Sequence, residues 1–401
     1  MTGDSPRRAA PTRPGGAGPM VRALSMVVLL FTTEAMFQTL LPTAMKAAGV
    51  SSGLLVGVFI AVSQGAGLLV APPAAALGDS RGRGRVLVAG GLAVAATAAL
   101  LAVPAAGGPV WLWSLPILGY GLARGITVIT TLGVVARSGD PYRTQGFNGA
   151  AQRLASALAA LLTALLVLSE GWSAGFLLMA ALALAFAWLA RGVHGRADRD
   201  AGVAVPARAS YRESLRMLRR DPALRASSLL NLNLNTLVIL GNAFYPLTLD
   251  VPTGELAGWL LILLLCRDLT SVLTGPWFHA VAAVLGLRGV VLLSGACAVA
   301  GLLVVGIGGG TLAGVLAGSV LQGLAISMGI GSTNILATSG GDGGTALRLT
   351  ATNYANSIGS FVLPLGFGLL FDLLGPGSVF LSGAGVSLLL GARVLMLTRV
   401  R

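Results

Sequence analysis

An all-α integral membrane protein of twelve transmembrane helices, built as two six-helix halves related by a pseudo-two-fold axis, is predicted by three features of this sequence. The chain is 55% hydrophobic and only 10% charged, with a mean hydropathy of +0.84, far outside the range of a water-soluble domain. About twelve apolar stretches, each close to the 20 residues a helix needs to cross a 30 Å hydrocarbon layer, are separated by short polar breaks. The basic residues fall at alternate breaks.

In chain order the spans run over 22–46, 52–77, 86–104, 110–135, 145–168 and 172–190, then 225–248, 255–281, 289–307, 312–337, 346–372 and 377–397. The first opens at Arg22 and carries Glu34 and Gln38 in its middle, which with its length argues against a cleaved signal peptide. The second and third are parted by Arg81, Arg83 and Arg85, the fourth and fifth by Arg137 and Arg143, and the sixth and seventh by nine arginines from Arg191 to Arg225. Arg288 precedes the ninth, and Arg399 and Arg401 follow the twelfth. The other breaks hold Glu170, Asp250, Glu255 and Asp372, with Lys46 their single basic residue. By the positive-inside rule both termini and the long central connection are cytoplasmic; the excess of arginine over lysine points to a high-GC bacterial gene, and the expected location is the bacterial inner (plasma) membrane.

The +13 net charge is thus a topology signal and not a nucleic-acid surface. Lys46, the only lysine, sits in Ala-Met-Lys-Ala, so the chain holds no Walker A loop. No His-Glu-x-x-His or Gly-x-Ser-x-Gly motif is present, and His194 and His279 are isolated, so neither an enzyme nor a metal or cofactor site is expected. Cys266 and Cys297 lie in apolar spans and read as small hydrophobes. Residues 1–20, rich in Pro, Gly and Arg, read as a disordered cytoplasmic tail.

The domain plan is an N-terminal bundle over 21–192, a cytoplasmic linker over 193–224 and a C-terminal bundle over 225–401. In the linker, Ser210-Tyr-Arg-Glu213 has capping-box form and opens a short amphipathic helix with Tyr211, Leu215 and Leu218 on one face. It suits anionic headgroups, or a solvated linker. The halves echo each other at an offset near 202 residues: Gly121-Leu-Ala recurs as Gly323-Leu-Ala, and Ser138-Gly-Asp140 as Gly340-Gly-Asp342. Common order and offset point to a parallel repeat.

The charged break Leu77-Gly-Asp-Ser-Arg-Gly-Arg-Gly-Arg85 carries the most specific motif. Gly82 permits a tight turn, Asp79 can meet a helix N-terminus, and the arginines can hold an acid or lipid phosphates, with Asp140 a partner for Arg83. Two six-span halves with this loop after the second span resemble the major facilitator superfamily, whose signature there is Gly-x-Leu-Ala-Asp-Arg-x-Gly-Arg-Arg. Leu77, Asp79, Gly82 and Arg83 match it, while Ala75 stands for the first Gly, Ser80 for the first Arg and Gly84 for the last Arg, before Arg85. The resemblance implies rocker-switch alternating access, with Asp79 clasping the start of helix 11 when the cytoplasmic side closes. It also implies that helices 1, 4, 7 and 10 line a cavity, 2, 5, 8 and 11 flank it, and 3, 6, 9 and 12 face lipid. The Gly/Pro motif of family antiporters in helix 5 is absent from 156–163.

Polar side chains follow the same division. Tyr120, Arg124, Thr127 and Thr131 stack on one face of span 4, and Asn148, Gln152 and Ser156 recur on span 5. Five charges lie deep: Glu34, Arg124, Arg153, Arg267 and Asp268. Each costs at least about 2.5 kcal/mol to insert, so pairing or function must retain them. Glu34 and Asp268 are the candidate proton carriers. The surplus of arginine favours an anionic or zwitterionic small molecule held by Arg124, Arg267 and Arg153, with Gln38, Gln152, Asn235, Asn353 and Asn356 completing its hydrogen bonds. Structural pairing is the alternative for Arg153 and for Asp268 beside Arg267. The expected function is proton-coupled efflux by a monomeric secondary transporter. Proton-coupled uptake or exchange of an organic anion is the alternative, and a non-transporting membrane sensor the remote one.

Overall fold

The computed structural model describes residues 17–135, 141–193, 215–249, 251–308, 311–338 and 345–398. Twelve long helices account for almost all of them, and no strand occurs among the described residues. In order they are α1 (Ala17–Ala47), α2 (Gly53–Arg81), α3 (Arg83–Ala105), α4 (Ser114–Val135), α5 (Pro141–Glu170), α6 (Trp172–Ala190), α7 (Pro222–Ile239, continued to Thr248), α8 (Thr253–Thr274), α9 (Phe278–Ile307), α10 (Leu312–Thr338), α11 (Thr345–Leu374) and α12 (Pro376–Leu397). One apolar stretch, Gly258–Ile307, is 50 residues long. At 1.5 Å per residue it would reach about 75 Å, so it holds two crossings. They are parted by the 3₁₀ turn Gly275–Trp277, where Pro276 lacks an N–H donor, and by Gly286 at φ 68°.

The halves have matching internal contacts. Helix pairs 1 and 5, 2 and 4, 3 and 6, 3 and 4, and 1 and 6 pack together, and so do their counterparts 7 and 11, 8 and 10, 9 and 12, 9 and 10, and 7 and 12. The glycine echo seen in the sequence has a shared packing role. A Cβ on Gly121 of α4 would collide with the Ser63 carbonyl of α2, and one on Gly323 of α10 with the Arg267 carbonyl of α8. In a bilayer, where hydrophobicity does not drive helices together, such small residues let backbones approach. The halves meet along α2 with α11, α5 with α8, and α1 with α7.

The structure corrects the sequence reading at two boundaries. The charged break between the second and third spans is shorter than the 78–85 expected: helix runs to Arg81 and resumes at Arg83, with Gly82 alone, at φ 90°, making the tight turn. The break between spans eight and nine starts at Gly275, not after residue 281. In α7 a π turn over Leu240–Phe244 precedes Pro246, because a proline without N–H leaves the ladder a bond short and the backbone re-registers. Residues 215–220 of the linker are helical; the capping box at Ser210 lies outside the described residues.

Candidate functional site

A cavity of about 610 Å³ lies between the halves, within the size range of small-molecule sites. Its walls come from α1, α2, α4, α5, α7, α10 and α11, with Arg83 at the start of α3. Among the described residues α6, α9 and α12 contribute nothing to it, and neither does α8. The lining continues to Arg83, Thr130, Gly133, Asn148 and Thr333, near the ends of their helices on the face where α1 begins. That face carries the arginine-rich connections and is called the basic face below.

At the opposite face the halves are tied. Lys46 at the end of α1 donates from Nζ to the Pro246 and Leu249 carbonyls at the end of α7, at 2.9 and 2.7 Å. Asp372 near the end of α11 accepts from the first backbone amides of α2, Gly53 and Leu54, at 2.7 and 3.0 Å, and from Ser52 Oγ at 2.7 Å. Each charge satisfies backbone groups that a helix end leaves unpaired. Between these ties, Gly57 of α2 rests directly on the Pro364 carbonyl and Gly368 of α11 on the Gly53 carbonyl. The cavity therefore faces the basic side and is sealed from the other.

Two ion pairs organise the interior. Arg124 of α4 donates from Nη2 to Glu34 Oε1 of α1. The same oxygen accepts from Gln38 Nε2 at 3.3 Å, one turn further along α1, and Gln38 Oε1 accepts from Asn242 Nδ2 at 2.9 Å. This chain of contacts crosses from α4 through α1 to the π turn of α7 in the other half. Glu34 Oε2 is enclosed and has no hydrogen-bond partner. The second pair is held within α8: Arg267 Nε and Nη2 donate to Asp268 Oδ1 and Oδ2 at 3.1 and 3.2 Å, and Ser156 Oγ of α5 donates to Asp268 Oδ2 at 2.5 Å. Gly241 makes room for this arginine, since a Cβ there would collide with Nη1.

The sequence reading placed Arg267 among the substrate ligands, but the structure does not bring it to the cavity wall. Arg267 and Asp268 are 1% and 0% exposed and do not line the cavity. Although neighbours on a helix point about 100° apart, the long Arg267 side chain curls back onto Asp268 in the α5–α8 seam. Arg124 lines the cavity but is spent on Glu34. Arg153 and Gln152 line it too. Asn235 lines it and donates to Ser360 Oγ at 2.7 Å, while Asn356 presents an enclosed Oδ1 with no partner. Arg83 reaches α4, donating from Nη1 to the Gly133 carbonyl at 3.1 Å. Asp140 and the side chains of Asp79 and Asn353 lie outside the described residues.

Asn242 is one of the polar residues the sequence places on span 7, whereas the Tyr245–Gln322 contact was not singled out. Asn242 links the Glu34 cluster to the second half, and Tyr245 accepts from Gln322 Nε2 at 2.7 Å between α7 and α10. The outer ties of Lys46 and Asp372 were read only as charges at span ends. A usable signal existed for Lys46: it is the one lysine of the chain and stands alone among acidic breaks. Among the described residues no three His, Cys, Asp or Glu side chains converge as a metal site would require.

The sequence matches the family model described as Major Facilitator Superfamily over residues 23–339. A comparison with curated proteins returns no match. Among solved structures the fold is similar to nucleoside transporter NupG, at 14% identity and a TM-score of 0.73, over 96% of this chain and 100% of that one. It is also similar to a bacterial homologue of the human lysosomal transporter Spinster in an inward-facing, unoccupied conformation, at 13% identity and a TM-score of 0.68, over 97% and 98% of the two chains. The human organic anion transporter MFSD10 aligns at 17% identity with a TM-score of 0.62, over 95% and 100%. Identities this low speak to the fold, whereas the sequence match spans well over half of the chain. The chain belongs to the Major Facilitator Superfamily.

Proposed function

We propose that this protein is a proton-coupled secondary transporter of a small organic solute, working as a monomer by alternating access in a plasma membrane, with its basic face in the cytoplasm. The observation that carries the reading is the position of Glu34. Its Oε1 joins Arg124 on one side and, through Gln38 and Asn242, the opposite half on the other, while Oε2 stands unpartnered. Protonation at Oε2 removes the charge that holds Arg124 and weakens the acceptor that holds Gln38. A proton arriving there loosens a link between the halves, which is what coupling requires. Asp268, the other carboxylate read as a proton carrier, is enclosed and committed to Arg267 and Ser156, so coupling is assigned to Glu34 alone.

We take the working direction to be export. A cavity open to the cytoplasm, with the outer face tied by Lys46 and Asp372, is the form that collects a cytoplasmic solute. Uptake or exchange of an organic anion is the second reading, favoured by the excess of arginine over acid among the cavity walls. The test is proton movement in proteoliposomes carrying a lumenal pH dye. Candidate solutes should elicit acidification changes with the wild-type protein and none with Glu34→Gln, which should still bind solute. Undiminished proton flux in Glu34→Gln would overturn the assignment. The sign of flux in right-side-out vesicles separates export from uptake.

A further inference from the structure

Four of the five deep charges neutralise one another, Glu34 with Arg124 and Arg267 with Asp268. Arg153 is left over. It lines the cavity, its Nε is enclosed without a hydrogen-bond partner, and it makes no hydrogen bond or ion pair to any described residue. The charges that act on it are Asp268 and Arg267 across the α5–α8 seam. Both Asp268 oxygens are already taken, Oδ1 by Arg267 and Oδ2 by Arg267 and Ser156. Among the described residues the seam therefore presents one uncompensated positive charge and a guanidinium fork with no protein acceptor.

We infer that Arg153 is the anchor for the carboxylate of a monoanionic organic solute, and that this anion is what lets the halves close over the site. The inference rests on the transporter reading above. A planar carboxylate matches the fork in two parallel hydrogen bonds and supplies one negative charge, which is the amount the seam lacks. A phosphate near two charges would leave an excess of the other sign. Closure over an empty site would strip water from a guanidinium with no counter-charge, and a bound carboxylate removes that penalty. Arg124 and Arg267 differ from it in charge, since each already has a carboxylate counter-charge in Glu34 or Asp268.

The test uses the purified full-length protein and measures thermal unfolding with acetate, lactate and benzoate against acetamide, lactamide and benzamide. At least one carboxylate should raise the unfolding temperature of the wild-type protein while its amide does not. Arg153→Gln should weaken that carboxylate by about tenfold or more, and Arg153→Lys, which keeps the charge but not the fork, by about threefold. The inference is overturned if no carboxylate stabilises the wild type, if the amide acts as well as its acid, or if Arg153→Gln binds undiminished. Should Arg153→Gln not purify as a monodisperse species, unchanged affinity in Arg153→Lys overturns it instead. Proton flux in liposomes separates the two readings. Flux driven by neutral solutes in Arg153→Gln would sink the anion anchor and leave the transporter standing, whereas carboxylate binding without any solute-driven flux would do the reverse.

Discussion

Asp372, close to the end of α11, caps the beginning of α2: its carboxylate takes the hydroxyl of Ser52 and the amides of Gly53 and Leu54. Ser52 is itself the N-cap of α2, accepting from Leu55 N at 3.1 Å. One acid from the second half thus completes the helix start of the first. Where α2 and α11 run side by side, this contact closes the far face.

Removing that acid should favour the conformation open at the far face. With charge-assisted capping worth about 1–2 kcal/mol, Asp372→Ala should shift the population about fivefold to thirtyfold. A cysteine placed at Ile60 in the cavity wall, in a Cys266→Ser and Cys297→Ser background, would report this through labelling by a membrane-impermeant thiol reagent from the far face. Unchanged labelling would count against the tie. Lys46→Gln should act in the same direction.

The Glu34 and Arg124 side chains should show strong energetic coupling. Glu34→Ala alone leaves a partly enclosed guanidinium without its counter-charge and is expected to cost about 3 kcal/mol or more, whereas the double replacement with Arg124→Ala should cost much less than the sum. A double-mutant cycle of unfolding free energies in detergent checks this, and additive effects would refute the pairing.

Gly241→Ala should be destabilising out of proportion to one methyl group. The added Cβ meets Arg267 Nη1, which the Asp268 pair holds in place, so a loss of about 1–3 kcal/mol is expected. Trimming the arginine should relieve it. Unfolding of Gly241→Ala with and without Arg267→Gln measures the relief, and no rescue would mean the strain lies elsewhere.

Gly121→Ala and Gly323→Ala should be damaging to a similar degree, about 1–3 kcal/mol each, because each pushes a methyl into a backbone carbonyl at equivalent places in the two halves. Gly295→Ala and Gly385→Ala, with nothing within 4 Å of the new methyl, should be neutral or slightly stabilising. Comparing unfolding temperatures of the four variants tests whether the repeat is a packing repeat.

The twelve crossings, the two halves and most of the helices that carry cavity polarity were legible in the chain, but not that α8 stays out of the cavity wall. Apolar length and the spacing of Tyr120, Arg124, Thr127 and Thr131 are local properties that survive any packing. Arg267 shows where this legibility stops. Its depth could be counted from Glu255, but whether it met substrate or Asp268 depended on rotamers and on the space left by Gly241, which sits on another helix.

By itself the sequence determined which segments cross the membrane and which charges sit deep, because hydrophobicity and a 1.5 Å rise act along one helix at a time. Only the tertiary structure decided how those charges are spent. Ion pairing acts over a few ångströms between side chains from different helices, so the packing of α1 on α4 and of α5 on α8 had to be known before Arg153, and not Arg124 or Arg267, stood out as the unpaired charge.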